Sequence, residues 1–259
     1  HLGPDPLFAR LSPMRTFRSD VTLSGETGPA LMDLIAAINQ MPLDQSATDA
    51  RRKRIAAMAT QERERIAAQA NTGCRAPMTK EWVSYCLGQA IRGRKATVVH
   101  ELGCPLPALQ LEQFKSYIQE PHSGGLGWGL PAAMGVQLAE PDRLVFATVG
   151  DGSYMFANPT ACHQLCEALE LPVITLVLNN EEWGAVRRSV SGLYKGGLAS
   201  QSNDVPLTSL RPSPDFTKTA QASRAYTETV TNGTELPAAL ARAVRMATDE
   251  RRQVLINIA

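Results

Sequence analysis

An aspartate and two asparagines stand at the two ends of one short segment of the sequence. Asp151 lies between Gly150 and Gly152 after an apolar run, and Asn179 and Asn180 follow the next apolar run. A carboxylate and an amide carbonyl are hard oxygen ligands, which suit Mg²⁺ or Ca²⁺ better than zinc. Glycines beside the acid would let backbone N–H groups approach an anion. The pattern predicts a divalent cation that bridges to a di- or triphosphate, although each motif alone is also typical of a turn.

Near-continuous apolar strands alternate with helices from residue 77 onward. Strands are predicted at 96–102, 143–149, 172–178 and 253–259, and helices at 79–91, 129–139, 158–170 and 235–248. This alternation is typical of an α/β fold, a parallel sheet with helices on both faces. The carboxyl ends of such strands meet at one edge of the sheet, where ligands bind. We therefore expect Asp151 and the two asparagines to lie close together.

The pattern GDG followed by NN, with 26 residues between Gly152 and Asn179, is the signature of thiamine diphosphate enzymes. The run GGLGWGLPAAMGVQLAEPDRLVFATVGDGS (124–153) resembles that of the benzoylformate decarboxylase family and is similar to that of acetolactate synthases. The resemblance implies that 77–259 is the diphosphate-binding domain, with the thiamine diphosphate-binding fold. It also implies that 1–40 is the end of a central α/β domain, a remnant that precedes this fold.

Residues 41–76 differ from both regions in composition. They are rich in Arg, Ala and Glu and poor in large apolar residues, which predicts a solvated connecting segment of one or two helices. In residues 1–40, Leu31, Leu34, Ile35 and Ile38 recur at helical spacing and predict one further helix.

The same resemblance implies roles for individual residues. Asp151 and Asn180 match side chains that bind Mg²⁺, and Glu182 matches a position that binds it through the backbone carbonyl. Leu126 matches the apolar residue that holds the cofactor bent, and the Gly124 carbonyl and Leu126 N–H match groups that bind its aminopyrimidine. The full set of cofactor-binding positions is Gly124, Leu126, Gly150, Gly152, Ser153, Trp183, Gly184 and Ala185.

Catalysis in the resembling enzymes also needs groups outside this set. His122 lies two residues before Gly124 and is a candidate acid or base at the reacting carbon, with a structural or exposed histidine as the alternative. The essential glutamate of these enzymes belongs to a pyrimidine-binding domain, and no residue of this chain matches it. The resemblance thus implies a missing N-terminal half, a homodimer or homotetramer, and an isolated chain without activity.

The implied reaction is decarboxylation of a small 2-oxo acid by a lyase, or transfer of the resulting acyl anion by a transferase as in acetolactate synthase. A non-catalytic cofactor-binding scaffold or regulatory subunit is the alternative. A phosphoryl-transfer enzyme is disfavoured because no lysine lies between residues 143 and 180.

Composition excludes several other classes. With 26 basic and 25 acidic residues, the chain has no charge excess that would favour a nucleic acid or a membrane surface. No apolar run reaches the roughly 18–20 residues of a membrane helix. Five cysteines without a CxxC pair favour reduced thiols and a cytoplasmic protein.

Overall fold

The computed structural model describes residues 2–3, 21, 23–75, 77–121, 125–202, 205 and 207–259. His122 and Gly124, two of the candidate site residues, lie outside the described residues. The chain divides into two compact units, His1–Ala59 and Thr60–Ala259. In the described part of the chain, no helix is both long enough and apolar enough to span a membrane.

The first unit contains two short parallel strands, one complete helix and the first part of a second. Strand β1 (Leu2–Gly3) pairs with β2 (Leu23–Ser24), and helix α1 covers Thr27–Gln40. The predicted helix is confirmed, but its four periodic apolar side chains are 42–50% exposed: Leu31, Leu34, Ile35 and Ile38. The assignment of 1–40 to a central domain stays a prediction.

The Arg- and Ala-rich segment forms one long helix, α2 (Gln45–Asn71). Its buried residue is Ala70, and the other described positions are half-buried or exposed. Alanine, arginine and glutamate favour a helix by intrinsic propensity, and the scarcity of large apolar residues leaves it little to bury. The prediction of a solvated helix is confirmed.

The second unit is built on a parallel sheet. Within the described residues, six strands run in the order β4-β3-β5-β6-β8-β7, and every adjacent pair is parallel. Their bounds are β3 Ala96–His100, β4 Tyr117–Gln119, β5 Leu144–Gly150, β6 Ile174–Leu178, β7 Tyr226–Val230 and β8 Val254–Ile258. The predicted α/β fold class is confirmed.

Helices cover both faces of this sheet and enclose two apolar cores. The helices are α3 Lys80–Ile91, α4 Leu106–Leu109, α5 Gly129–Ala139, α6 Asp151–Phe156, α7 Pro159–Ala168, α8 Gly184–Leu193, α9 Phe216–Gln221 and α10 Leu236–Asp249. Residues of α3 and α10 pack against Val98, Phe146 and Ile256, whereas residues of α5, α7 and α9 pack against Val145 and Leu255. Alternate residues of each buried strand thus serve opposite cores.

Two helix starts are built differently. Thr79 Oγ1 accepts a hydrogen bond from Trp82 N–H at 3.2 Å, so its side chain caps the start of α3. Asn158 also precedes a helix with Pro159 at its first turn, but its φ is 52° and its side chain makes no capping hydrogen bond. Asn158 therefore stands at the start of α7 in a left-handed conformation and caps it with its backbone carbonyl, not with its side chain.

Candidate functional site

The carboxyl ends of β3, β5, β6 and β8 surround a cavity of about 300 Å³. Register explains why the predicted motifs meet there: Gly150 of β5 pairs with Leu178 of β6, so the residues after both strands emerge at the same edge. Every candidate metal or cofactor residue in the described ranges lines this cavity, namely Leu126, Gly150, Asp151, Gly152, Ser153, Asn180, Glu182, Trp183, Gly184 and Ala185.

Asp151 is the most buried acid of the cavity, with 3% exposure. It is the first residue of α6, where the helix dipole favours a negative charge. Its Oδ1 accepts from Gly152 N–H at 2.8 Å, and its Oδ2 accepts from Glu182 N–H at 3.2 Å. Burial raises the pKa of the Asp151 carboxyl, and these backbone hydrogen bonds oppose that rise. Among the described side chains, no lysine or arginine forms an ion pair with it.

Asn180 brings a third polar group to the same point. In one orientation of its carboxamide, the NH₂ group donates to Asp151 Oδ2 at 3.3 Å and to the Glu182 carbonyl at 2.9 Å. In the other orientation, the amide oxygen faces those two oxygens. Three acceptors so close repel one another unless a cation lies between them. The donor set is one carboxylate, one amide and one backbone carbonyl, so it fits Mg²⁺.

The ligands at this edge differ from those of a zinc site. Within the described ranges, no group of three histidine, cysteine or acidic residues is arranged to hold a metal. Any cation at this edge would therefore need the amide and the backbone carbonyl as well as Asp151. It would also keep positions for water or phosphate oxygens, as Mg²⁺ usually does.

Ser153 contributes an unsatisfied donor. Its Oγ is buried and has no hydrogen-bond partner among the described residues, although the residue lines the cavity. Native proteins rarely leave a buried hydroxyl unpaired, and a bound ligand is one common reason. Ser153 therefore fits a diphosphate oxygen.

The glycines of the site make room for side chains. A Cβ on Gly152 would overlap the six-membered ring of Trp183, and a Cβ on Gly184 would lie 2.8 Å from Asn180 Nδ2. A Cβ on Gly150 would meet only ordinary contacts, the nearest at 3.8 Å. Thus a side chain at Gly152 would displace the Trp183 ring and one at Gly184 would shift the Asn180 amide, whereas space alone does not require Gly150.

The start of α8 holds three of the cofactor-binding positions that the resemblance implies, where backbone N–H groups would meet the diphosphate. Trp183 N–H donates to the Thr208 carbonyl at 2.7 Å, and Gly184 N–H donates to the Glu182 carbonyl at 2.7 Å. Those two groups already have partners, so their contact with a diphosphate stays a prediction. Ala185 follows in the first turn of α8 and lines the cavity.

Two charged residues of the site, Lys80 and Glu101, are absent from the sequence-based predictions. Lys80 and Arg188 line the cavity, and burial, followed by the charge of Arg188, lowers the pKa of the Lys80 amine. Glu101, only 3% exposed, accepts hydrogen bonds from the turn that carries Leu126. The available signal was an acidic residue near the carboxyl end of a predicted apolar strand, similar to the signal that marks Asp151.

Known proteins resemble the part of the chain that carries this cavity. The family model of the thiamine pyrophosphate enzyme, C-terminal TPP binding domain, matches residues 102–258. Acetolactate synthase isozyme 3 large subunit of Escherichia coli (strain K12) is 34% identical over 135 residues, which are 50% of this chain and 22% of that protein. Benzoylformate decarboxylase of Pseudomonas aeruginosa is 43% identical over 67 residues, 26% of this chain and 12% of that protein.

A solved structure gives the same picture. The thiamine diphosphate-dependent 4-hydroxybenzoylformate decarboxylase of Rhodococcus jostii RHA1 matches with a TM-score of 0.58 and 26% identity, over 71% of this chain and 32% of that chain. The aligned region is thus less than a quarter of each of the two curated relatives and about a third of the solved structure.

Proposed function

Because the chain belongs to the thiamine pyrophosphate enzyme family and carries its C-terminal TPP-binding domain, as the GDG–NN motif predicted, we propose that its cavity binds the diphosphate of thiamine diphosphate through Mg²⁺. The observation that carries this proposal is the convergence of the Asn180 amide and the Glu182 carbonyl on the buried carboxylate of Asp151. A buried anion without a cationic partner is costly, and a divalent cation would remove that cost.

The protein's own groups would divide the work of binding. Asp151, Asn180 and the Glu182 carbonyl would hold Mg²⁺, and the Ser153 hydroxyl would donate to a diphosphate oxygen. Leu126 would support the bent shape of the cofactor from the apolar side of the cavity. When bound, thiamine diphosphate would supply the carbon nucleophile and the electron sink for chemistry at a 2-oxo acid carbonyl.

The proposed reaction is decarboxylation of a small 2-oxo acid, with or without transfer of the acyl group to a second carbonyl. Both outcomes are supported by relatives, since an acetolactate synthase and a benzoylformate decarboxylase each match part of this chain. The aligned region is a small part of those enzymes, so we propose that a pyrimidine-binding domain outside these 259 residues completes the site. We further propose that this domain comes from a second copy in a homodimer or homotetramer.

Metal-dependent binding tests the proposal directly. The chain is titrated with pyrophosphate and followed by NMR, which detects weak binding, in the presence of Mg²⁺ and then of a chelator. We expect shifts at Ser153 and Asn180 only with Mg²⁺. Asp151→Asn should abolish them, whereas Asp142→Asn, the same charge change at an exposed turn, should not. Binding that is independent of Mg²⁺ or unchanged in Asp151→Asn would contradict the proposal.

Activity gives a separate test. The 259 residues alone should show no turnover of pyruvate or benzoylformate with Mg²⁺ and thiamine diphosphate in excess. A protein that includes a pyrimidine-binding domain should release CO₂ from one of these acids. Multiple turnover by the isolated chain would overturn the two-domain site.

A further inference from the structure

A second buried carboxylate lies beside the cavity. Glu101 follows β3 and is 3% exposed, with Oε1 accepting from Gly127 N–H at 2.7 Å and Oε2 accepting from Gly129 N–H at 2.6 Å. No ion pair to Glu101 exists among the residues that the structure describes. A buried carboxylate whose two oxygens each accept a short N–H bond makes strong, directional contacts. Glu101 thus fixes the backbone at Gly127 and Gly129.

The two bonds determine where Leu126 lies. Gly127 N–H shares a peptide plane with the Leu126 carbonyl, so the bond to Oε1 sets the orientation of that plane. Gly127 has a φ of 92°, and a Cβ there would lie 2.6 Å from the Ala157 nitrogen. The turn therefore has no room to shift toward α6.

The second bond anchors the other end of the turn. Gly129 is the first residue of α5, where backbone N–H groups have no partner within the helix. The Glu101 carboxylate supplies that partner and lies at the positive end of the helix dipole. A Cβ on Gly129 would lie 3.0 Å from both Glu101 Cβ and Glu101 Oε2, so the glycine leaves room for the Glu101 side chain.

We propose that Glu101 is a positioning residue that holds the Leu126 turn against the cavity. Glu101 would thereby support binding of the organic part of the cofactor and not binding of its diphosphate. Glu101 itself does not line the cavity, whereas Leu126 does. Asp151, Asn180 and Ser153 are held by other elements. This inference rests on the proposed function, because the organic part in question is that of thiamine diphosphate.

The first test examines the turn without any ligand. Glu101→Gln replaces one oxygen by an NH₂ group, which would face an N–H donor and lose that bond. Glu120→Gln is the matched control, since Glu120 is nearby and half-buried but its side chain makes no hydrogen bond to the turn. We expect amide hydrogen exchange at Gly127 and Gly129 to accelerate by about tenfold in Glu101→Gln only. Equal exchange rates in the parent and both variants would overturn the clamp.

The second test separates positioning from general damage. Thiamine diphosphate and pyrophosphate, each with Mg²⁺, are titrated by NMR into the parent chain and both variants. We expect Glu101→Gln to lower thiamine diphosphate affinity by about tenfold and pyrophosphate affinity by less than about twofold. Equal losses for both ligands, or no loss for thiamine diphosphate, would overturn the positioning role.

Failure of the proposed function would look different. If the parent chain bound neither ligand, the diphosphate site and the cofactor role of Glu101 would fall together. The exchange rates at Gly127 and Gly129 would still decide whether Glu101 fixes the turn.

Discussion

Two sides of the cavity are built in contrasting ways. The floor segment, residues 150–154, follows the central strand β5, and its residues Asp151 to Tyr154 are buried. The wall segment, residues 181–193, is half-buried or exposed throughout, and α8 has no buried residue. Stability in proteins is not uniform, and segments with few buried contacts open most easily. The floor segment is thus part of the core, whereas the wall segment is attached to it.

The wall segment is attached to the floor segment on one side and to residues 208–211 on the other, where Leu210 N–H donates to the Glu181 carbonyl and Arg211 pairs with Glu181. Glu182 N–H reaches Asp151, Trp183 N–H reaches the Thr208 carbonyl, and Trp183 packs on Gly152 and on Phe156 at 5.5 Å between ring centroids. Asp151 and Trp183 therefore link the two segments. The candidate metal site lies at this junction, so cation binding should tie the wall to the floor.

Among the variants that compare the two segments, the largest effect is expected from Asn180→Leu, which removes an oxygen at the junction. Loss of a direct ligand should lower Mg²⁺-dependent pyrophosphate affinity by at least about 100-fold, more than loss of an outer-shell partner. The comparison variant is Asn179→Ala, whose side chain bonds Ser213 and Glu181 N–H rather than facing Asp151. Equal affinities in Asn180→Leu and the parent, measured by calorimetry or NMR, would contradict a metal role for Asn180.

Next in size is Gly152→Ala, which breaks the contact between floor and wall. The new Cβ overlaps the Trp183 ring, so the ring must move, at an expected cost of about 1–3 kcal/mol in the free energy of unfolding. Gly150→Ala should cost less, because its Cβ meets only ordinary contacts and its φ is −77°. Urea denaturation of both variants checks this, and equal costs would show that Trp183 does not depend on Gly152.

Leu126→Ala should act on one ligand and not on another. Leu126 is half-buried, so its loss should cost no more than about 2 kcal/mol of stability. Affinity for thiamine diphosphate should fall severalfold while affinity for Mg²⁺ and pyrophosphate stays the same. Leu138→Ala, at an exposed position, is the control. Unchanged thiamine diphosphate binding in Leu126→Ala would make Leu126 an ordinary packing residue.

The smallest effect is expected within the wall itself. Arg187 pairs with Glu182 at 2.8 Å with both side chains partly exposed, so Arg187→Ala should lower the free energy of unfolding by about 0–1 kcal/mol.

Hydrogen exchange should nonetheless be faster along α8 than along α6 in the parent chain. Mg²⁺ with pyrophosphate should slow exchange at the start of α8. Equal protection of both helices without ligand would remove the distinction between floor and wall.

Sequence patterns predicted the buried strands of the core and the site residues that follow them. The buried strands were found because apolar runs are unambiguous in a sheet covered on both faces, although β3 ends at His100 rather than at residue 102. It ends there because Glu101 N–H and Leu102 N–H both turn to the Thr148 carbonyl. Asp151 and Asn180 were found because each follows such a run.

The remaining elements were missed for physical reasons. Glycines around Asp151 favour a turn, yet α6 begins at that acid. Strand β7 has mostly half-buried residues because it is the edge strand, so its apolar pattern is weak. Glu101 was missed because its role depends on two backbone groups more than 20 residues further along the chain, separations of 26 and 28.

The contact between Trp183 and Gly152 also means that ligand binding in the cavity can be followed by tryptophan fluorescence. The chain has three tryptophans, and Trp183 is the one that lines the cavity. An indole that lies against the candidate metal site changes its emission when a neighbouring charge or ring enters. Replacing Trp82 and Trp128 by phenylalanine would leave Trp183 as a single optical reporter, so the order in which Mg²⁺ and the diphosphate enter could be followed by stopped-flow fluorescence.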